Sequence, residues 1–280
     1  MTPLQRRLLT WYAKNGRARL PWRKTRDPYR VLVSEFMLQQ TQVERVLPKY
    51  RAFLKRFPTL LALAEASAAD AIREWQGLGY NSRALRLKRI AETVAADFDG
   101  QMPRDAATLR TLKGIGEYTA AALRAFAFDE DDAAVDTNVR RVVERLTRGR
   151  VAPQALVPRG RGHDWNSALM DLGATLCTAR APKCVDCPMQ KSCASFPLEL
   201  VAPPRIRKAK VPFESTTRFA RGRIIDRLRE LPPGKQVSLL DLHRELDLPG
   251  RSADDITALV TALARDGLVV VRNRQVALSD

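Results

Sequence analysis

No apolar run in this sequence approaches the roughly 20 residues that a helix needs to cross a bilayer, so nothing here reads as a membrane protein. The N-terminus shows no apolar export segment, which argues against an oxidising compartment and a disulfide framework. Internal repeats and low-complexity tracts are missing as well, which sets repeat architectures aside. Cysteine is scarce. All four fall in one window, Cys177, Cys184, Cys187 and Cys193, leaving none elsewhere to staple distant elements, and the thiols are expected to be reduced in a cytoplasmic protein. Acidic side chains are also in deficit: 31 against 48 lysines and arginines, a formal charge of +17. That excess exceeds what solubility needs and suits a polyanion, with nucleic acid the leading candidate; a ribosome-associated or membrane-surface protein shares the same charge.

What is present is ordinary in bulk. With 45% hydrophobic and 28% charged residues the chain reads as globular, and 280 residues suffice for one mid-sized domain and a small one. The cysteines stand as C-x6-C-x2-C-x5-C, a spacing that wraps one metal site. Four thiolates can hold either a structural zinc or a [4Fe–4S] cluster, and sulfur chemistry alone does not separate the two. The uneven intervals differ from the paired knuckles of zinc ribbons.

From Met1 to about Phe196 amphipathic helices succeed one another, for example through Val31, Phe36, Leu38 and Val43, and again through Leu60, Leu63 and Ala66. This predicts an all-α body. Breaks are expected at Leu20-Pro21, Asp27-Pro28, Gly77-Leu78-Gly79, Gly114-Ile115-Gly116 and the acidic run Asp129 to Asp132. Residues 197–212 hold several prolines and a basic run, and read as a linker. Beyond it the pattern predicts helices at about Thr216–Leu231, at about Leu239–Leu246 and from Ser252. A β-hairpin follows through Val269 and Val276, so residues 213–280 are expected to form a small winged-helix-like (α+β) module.

Three segments carry candidate chemistry. Gly114 and Gly116 sit where the backbone must turn tightly before a helix, and the amides at that helix start can cradle a DNA phosphate; an ordinary interhelical turn has the same pattern. Asp136 stands directly before an amphipathic helix, where a carboxylate caps exposed amides, stays ionised and can stabilise a sugar cation. Glu35 interrupts the apolar run Val31 to Leu38. Held among apolar neighbours, its pKa is expected to rise so that it can act as a general acid, whereas on a polar helix face it would be an ordinary exposed glutamate.

Leu20-Pro21-Trp22-Arg23, Ser34 to Thr41, Gly77-Leu78-Gly79-Tyr80, Leu112 to Gly116, Val135 to Asn138 and the four-cysteine loop follow one another in an order that resembles the adenine-DNA glycosylases of the MutY type, within the helix-hairpin-helix glycosylase superfamily. The resemblance covers roughly residues 3 to 196. It implies a two-lobed glycosylase body over 1–196, with a [4Fe–4S] loop at 177–193 in preference to zinc, acting in base excision repair on mismatched or damaged duplex DNA. It also implies that Glu35 protonates a flipped adenine at N7 and directs water, while Asp136 stabilises or traps the oxocarbenium ion, a division of labour like that of two-carboxylate glycosidases. Tyr118 and Asn138 match companions of these carboxylates, and Leu20, Trp22, Arg23 and Val43 match a base pocket. Gln40 matches a residue near the mismatch; Gly77, Gly79, Tyr80 and Asn81 match a loop that contacts DNA.

Tyr118 also stands where strand-nicking relatives place a nucleophilic lysine, which implies base removal without β-elimination. Asn81 replaces a wedging second tyrosine of many members, and Ser167 replaces a glutamate or glutamine that often contacts adenine. The C-terminal module is expected in place of the domain by which relatives read 8-oxoguanine. Two alternatives remain: a mismatch thymine or uracil glycosylase of the same fold, disfavoured by Gln39-Gln40, and a non-catalytic DNA-binding regulator, disfavoured by the pair Glu35 and Asp136.

Overall fold

The computed structural model describes residues 1–197, 211–246, 248 and 250–280, and groups them in two compact units. Most of the expected linker, residues 198–210, lies outside the described residues.

The first unit comprises Met1–Glu35 and the stretch from Met102 to about Pro197. Helix α1 (Pro3–Asn15) opens with a capping box in which Thr2 and Gln5 exchange side-chain and backbone hydrogen bonds. A short 3-10 turn, Pro21–Arg23, follows, and α2 (Pro28–Leu38) begins at a proline whose missing N–H would have been unpaired there. Further along this unit come α7 (Ala106–Thr111), α8 (Glu117–Ala127), α9 (Thr137–Thr147) and α10 (Gly162–Thr175). The apolar faces of α1, α9 and α10 meet in a core of Leu8, Leu9 and Tyr12 from α1, Val139, Val142 and Val143 from α9, and Trp165, Leu169 and Leu172 from α10. Cys177, Cys187 and Cys193 pack half-buried against that core. The acidic run is used structurally: both oxygens of Asp131 accept from the backbone N–H groups of Gly160, Arg161 and Gly162 at 2.7–3.1 Å, capping α10 from a distance. A Cβ at Gly162 would stand 2.0 Å from the Glu130 carbonyl oxygen, so only glycine fits that approach.

The second unit comprises Phe36–Gln101 and the C-terminal residues from 211 onward. It holds α3 (Val43–Arg56), α4 (Leu60–Glu65), α5 (Ala68–Glu74) and α6 (Ser82–Asp97), then α11 (Thr217–Glu230), α12 (Leu239–Leu246) and α13 (Ala253–Arg265). Strands β1 (Val237–Ser238), β2 (Val269–Arg272) and β3 (Gln275–Leu278) form an antiparallel sheet in the order β1-β3-β2, with Val276 facing Val237 on one side and Val271 on the other. One core joins Ile224, Ile225, Leu242, Val260 and Val276 to Ala68, Ile72 and Leu85 of α5 and α6. The expected hairpin is thus the larger part of a three-stranded sheet. At two residues β1 is too short to show an alternating pattern, and only its pairing with β3 makes it a strand.

The apolar spacing from Val31 to Val43 is not one helix. α2 stops at Leu38, Gln40 turns left-handed at φ 55°, and α3 begins at Val43. The stop has a cause far away in sequence. The Arg83 guanidinium, 4% exposed, donates to the carbonyls of Phe36, Met37 and Gln39 at 2.6–3.0 Å, and to those of Leu78 and Gly79 at 2.9 and 3.0 Å. It takes over the carbonyls that a helix end leaves unpaired.

Candidate active site

Glu35 lies on α2 within a run in which Val31, Leu32, Val33, Ser34, Phe36 and Met37 are all buried, and it is itself only 8% exposed. The exposed alternative therefore does not apply. Burial pushes its pKa up to about 7 and the Asp136 charge adds to the rise, while the hydrogen bond from Tyr118 and the Arg23 charge oppose it. Tyr118 Oη donates to Glu35 Oε2 at 2.8 Å, and the phenol's own pKa is driven well above the ordinary value, first by burial and then by Glu35.

Tyr118 is placed by the hairpin. α7 ends before Leu112, Gly114 takes φ 115°, a region open to glycine, and Gly116 is the N-cap of α8. Gly116 makes no side-chain cap and a Cβ there would meet nothing within 4 Å, while Tyr118 turns inward to Glu35.

Asp136 caps α9, as its position in the sequence suggests. Oδ1 accepts from the Val139 N–H at 2.6 Å and Oδ2 from Asn138 Nδ2 at 3.1 Å. Asn138 Oδ1 in turn accepts from Arg141, which also donates to the carbonyls of Gly173 and Cys177. The carboxylate is thus oriented by two donors of its own helix.

Leu20, Trp22 and Arg23 occupy the 3-10 turn and the residue before it, with Trp22 buried. Asp171 anchors this segment: it accepts from the Arg17 N–H and guanidinium at 2.7 and 2.9 Å and lies 3.6 Å from Arg23. Arg23 also lies over the Phe126 ring. Arg23 Nη1 and Ser167 Oγ are buried and have no hydrogen-bond partner among the described residues. Glu35, Tyr118, Asp136, Asn138, Leu20, Trp22 and Arg23 all belong to the first unit.

Gln40, Val43, Gly77, Gly79, Tyr80 and Asn81 belong to the second. There Gln40 is exposed and Val43 half-buried at the start of α3. Gly77 and Gly79 take φ 84° and 69°, and Tyr80, 39% exposed, is left-handed at φ 46°. Asn81 Oδ1 accepts from Arg229 at 2.7 Å, so it is engaged by the C-terminal module. Arg83 holds the 36–41 and 77–79 backbones together in this unit; an arginine in the first turn of α6 carries no local signal for that role.

The four cysteines line one cavity in the first unit, together with Val142, Leu146, Leu172 and Leu176. Arg145 points one guanidinium nitrogen to within 3.4 Å of Cys177 Sγ and holds the loop through the carbonyls of Thr178 and Ala179. Among the described residues no three His, Cys, Asp or Glu side chains converge on a point where one metal ion would sit.

Also missed in the sequence is Asn166, fully buried on α10. It accepts from the Ala134 N–H at 2.8 Å and donates to the carbonyls of Asp132 and Gly162, fixing the segment that leads into Asp136.

Residues 33–155 match the family described as HhH-GPD superfamily base excision DNA repair protein. The chain is 43% identical over 238 residues to the adenine DNA glycosylase of Mycolicibacterium smegmatis, a match covering 80% of this chain and 79% of that one. It is 40% identical over 215 residues to the human adenine DNA glycosylase, covering 69% of this chain and 39% of that protein. Among solved structures, a thermostable thymine-DNA glycosylase superposes with a TM-score of 0.64 at 32% identity, over 69% of this chain and 94% of the other. An endonuclease III–DNA complex superposes at 0.57 with 22% identity, over 69% and 96% of the two chains, a likeness of fold.

Proposed function

Because this chain belongs to the adenine DNA glycosylase family within the HhH-GPD superfamily of base excision DNA repair proteins, we propose that it flips a mispaired adenine out of duplex DNA and hydrolyses its glycosidic bond, with guanine or 8-oxoguanine as the opposite base. The observation that carries this reading is the buried Glu35, whose pKa of about 7 leaves a carboxylic acid available near neutrality, in the same unit as the amide-held carboxylate of Asp136.

Tyr118 occupies Oε2 of Glu35, which leaves Oε1 to carry the proton outward. That proton goes to adenine N7. The bond from C1′ to N9 then breaks with its electron pair going to the base, which leaves as neutral adenine. The positive charge left on the sugar is stabilised by Asp136, whose two oxygens are already oriented by Val139 N–H and Asn138 and need little reorganisation. Glu35, now an anion, takes a proton from the attacking water, and its own protonation state is restored. Tyr118 cannot form a Schiff base, so the strand is left intact at an abasic site. The unpartnered Arg23 Nη1 and Ser167 Oγ are polar groups suited to the edge of a base.

The cysteine loop suits a [4Fe–4S] cluster. Four thiols line one cavity together with Val142, Leu146, Leu172 and Leu176, which suits a group held by four thiolates, with Arg145 offsetting thiolate charge. When bound, the cluster would brace the loop and contribute redox-active iron. We read residues 213–280 as a winged-helix-like module and 1–196 as the glycosylase body. Among the described residues no helix is long and apolar enough to cross a membrane, in keeping with a protein working at DNA in the cytoplasm or nucleoid.

A panel of duplexes with defined mispairs, assayed with and without alkali, tests the proposal. Adenine should be released, and strand breaks should appear only after alkali. Release of thymine or uracil from mispairs with guanine, with no adenine from any duplex, would instead establish the thymine or uracil reading.

A further inference from the structure

Winged-helix modules commonly present their third helix to DNA, and in this module α13 is unsuited to that task. Its first turn carries Asp254 and Asp255, both exposed, and its only arginine, Arg265, sits at the far end. Two carboxylates at the leading end of a helix would meet phosphates of like charge.

α11 has the opposite character. Arg218, Arg221, Arg223, Arg227 and Arg229 lie along it against Asp226 and Glu230. Within the second unit, α11 and residues 77–82 enclose a groove of about 710 Å³. Arg218, Arg223 and Arg45 line it, are exposed, and form no ion pair among the described residues, whereas Arg229 and Arg221 are committed to Asp226 and Asp266. Aromatic faces are interleaved with this charge. The Arg218 guanidinium lies 4.1 Å over the Tyr80 ring and 6.0 Å from that of Phe213, which is 53% exposed and braced edge-on by Phe219. The approach to the loop is close: a Cβ at Gly79 would stand 4.0 Å from Arg218 Nη2. Arginines without a carboxylate partner among the described residues, beside the exposed Phe213 ring, are what a nucleic-acid strand with an unstacked base engages.

We propose that the C-terminal module reaches DNA through α11, not α13, and that the groove between α11 and residues 77–82 receives an unstacked nucleotide. Its base lies against Phe213, and its phosphates on Arg223, Arg45 and the Arg218 guanidinium held over Tyr80. This rests on the reading that the chain acts on duplex DNA, and it adds a site at the loop where Asn81 replaces the second wedge tyrosine. Asn81 is tied to Arg229, while Phe213 offers a ring to the same groove.

The test is equilibrium binding of the full chain to a duplex carrying a tetrahydrofuran abasic analogue, measured by anisotropy over a salt series. Phe213→Ala should weaken binding about tenfold through lost stacking, without changing the salt slope. Arg223→Glu should weaken it by at least as much and flatten the salt slope by about 1. Arg223 is exposed and forms no ion pair or side-chain hydrogen bond among the described residues, so this variant changes the charge of the groove without removing a contact of the fold. Arg265→Ala, the same kind of charge on α13, should stay within about twofold of wild type. Wild-type affinity in both Phe213→Ala and Arg223→Glu overturns the proposal, as does a loss in Arg265→Ala matching theirs. The analogue holds no base to be cut, so an enzyme that released no adenine yet lost affinity in Arg223→Glu would overturn the proposed substrate and leave this site standing.

Discussion

Tyr118 donates a 2.8 Å hydrogen bond to Glu35 across 83 residues of sequence, tying the hairpin to the carboxyl at the end of the first unit's share of α2. The bond favours the anion and thereby restrains the pKa rise that burial imposes, which sets the pH at which the acid works.

Excision under single-turnover conditions is therefore expected to fall as pH rises through about 7, where Glu35 loses its proton. In Tyr118→Phe the anion loses a donor, so the alkaline limb should move to higher pH. An unmoved limb would show that another group controls it. Stability follows with its own sign. A carboxyl whose pKa is raised from 4.5 to about 7 by folding binds more protons folded than unfolded, so it detracts from stability increasingly as pH rises through that window. Glu35→Gln should abolish excision and, above about pH 7, gain up to roughly 3 kcal/mol of stability in chemical denaturation.

Asp136→Asn should keep DNA binding and lower the excision rate by at least about a hundredfold, because the amide retains the shape and loses the charge opposite the cation. Asparagine caps helices nearly as well, so the melting temperature should hardly move. A rate near wild type would remove Asp136 from the reaction.

Anaerobically purified protein should be brown, with broad visible absorption and iron bound through four thiolates. Replacing any one of Cys177, Cys184, Cys187 or Cys193 by serine should bleach it. Stoichiometric zinc without iron would reject the cluster.

Arg83→Ala should destabilise the protein by at least about 3 kcal/mol, since it strands several buried carbonyls at once. Arg83→Lys should recover only part of this, because one ammonium cannot reproduce the guanidinium fork. DNA affinity should fall in both, as the segments carrying Gln40 and Tyr80 lose their shared anchor. Retained stability in urea titration would contradict this role.

The breaks between helices were legible because proline and glycine act locally. Pro28 starts α2, and Gly114 shapes the turn into α8, through φ preferences that need no partner. The Asp136 cap was legible for the same reason, since its acceptor and donors lie within one helical turn. The end of α2 was not: apolar spacing continues to Val43, and the stop depends on Arg83, which approaches from α6. Strand β1 depends likewise on β3, and Asn166 and Asp171 looked like ordinary polar residues until their partners at 134 and 17 were in place.

By itself, then, the sequence determined what rests on short-range backbone chemistry and on composition: the helical order, the hairpin glycines, the clustered thiols and the strong positive charge. It also placed a glutamate inside an apolar run. Only the tertiary structure decided that Glu35 is buried, that Tyr118 is the group bonded to it, and that its pKa rises to about 7, because desolvation depends on neighbours contributed by distant segments. The placement of Arg218 of α11 over Tyr80 was decided there too, since a one-dimensional pattern records that a helix is basic but not what it faces.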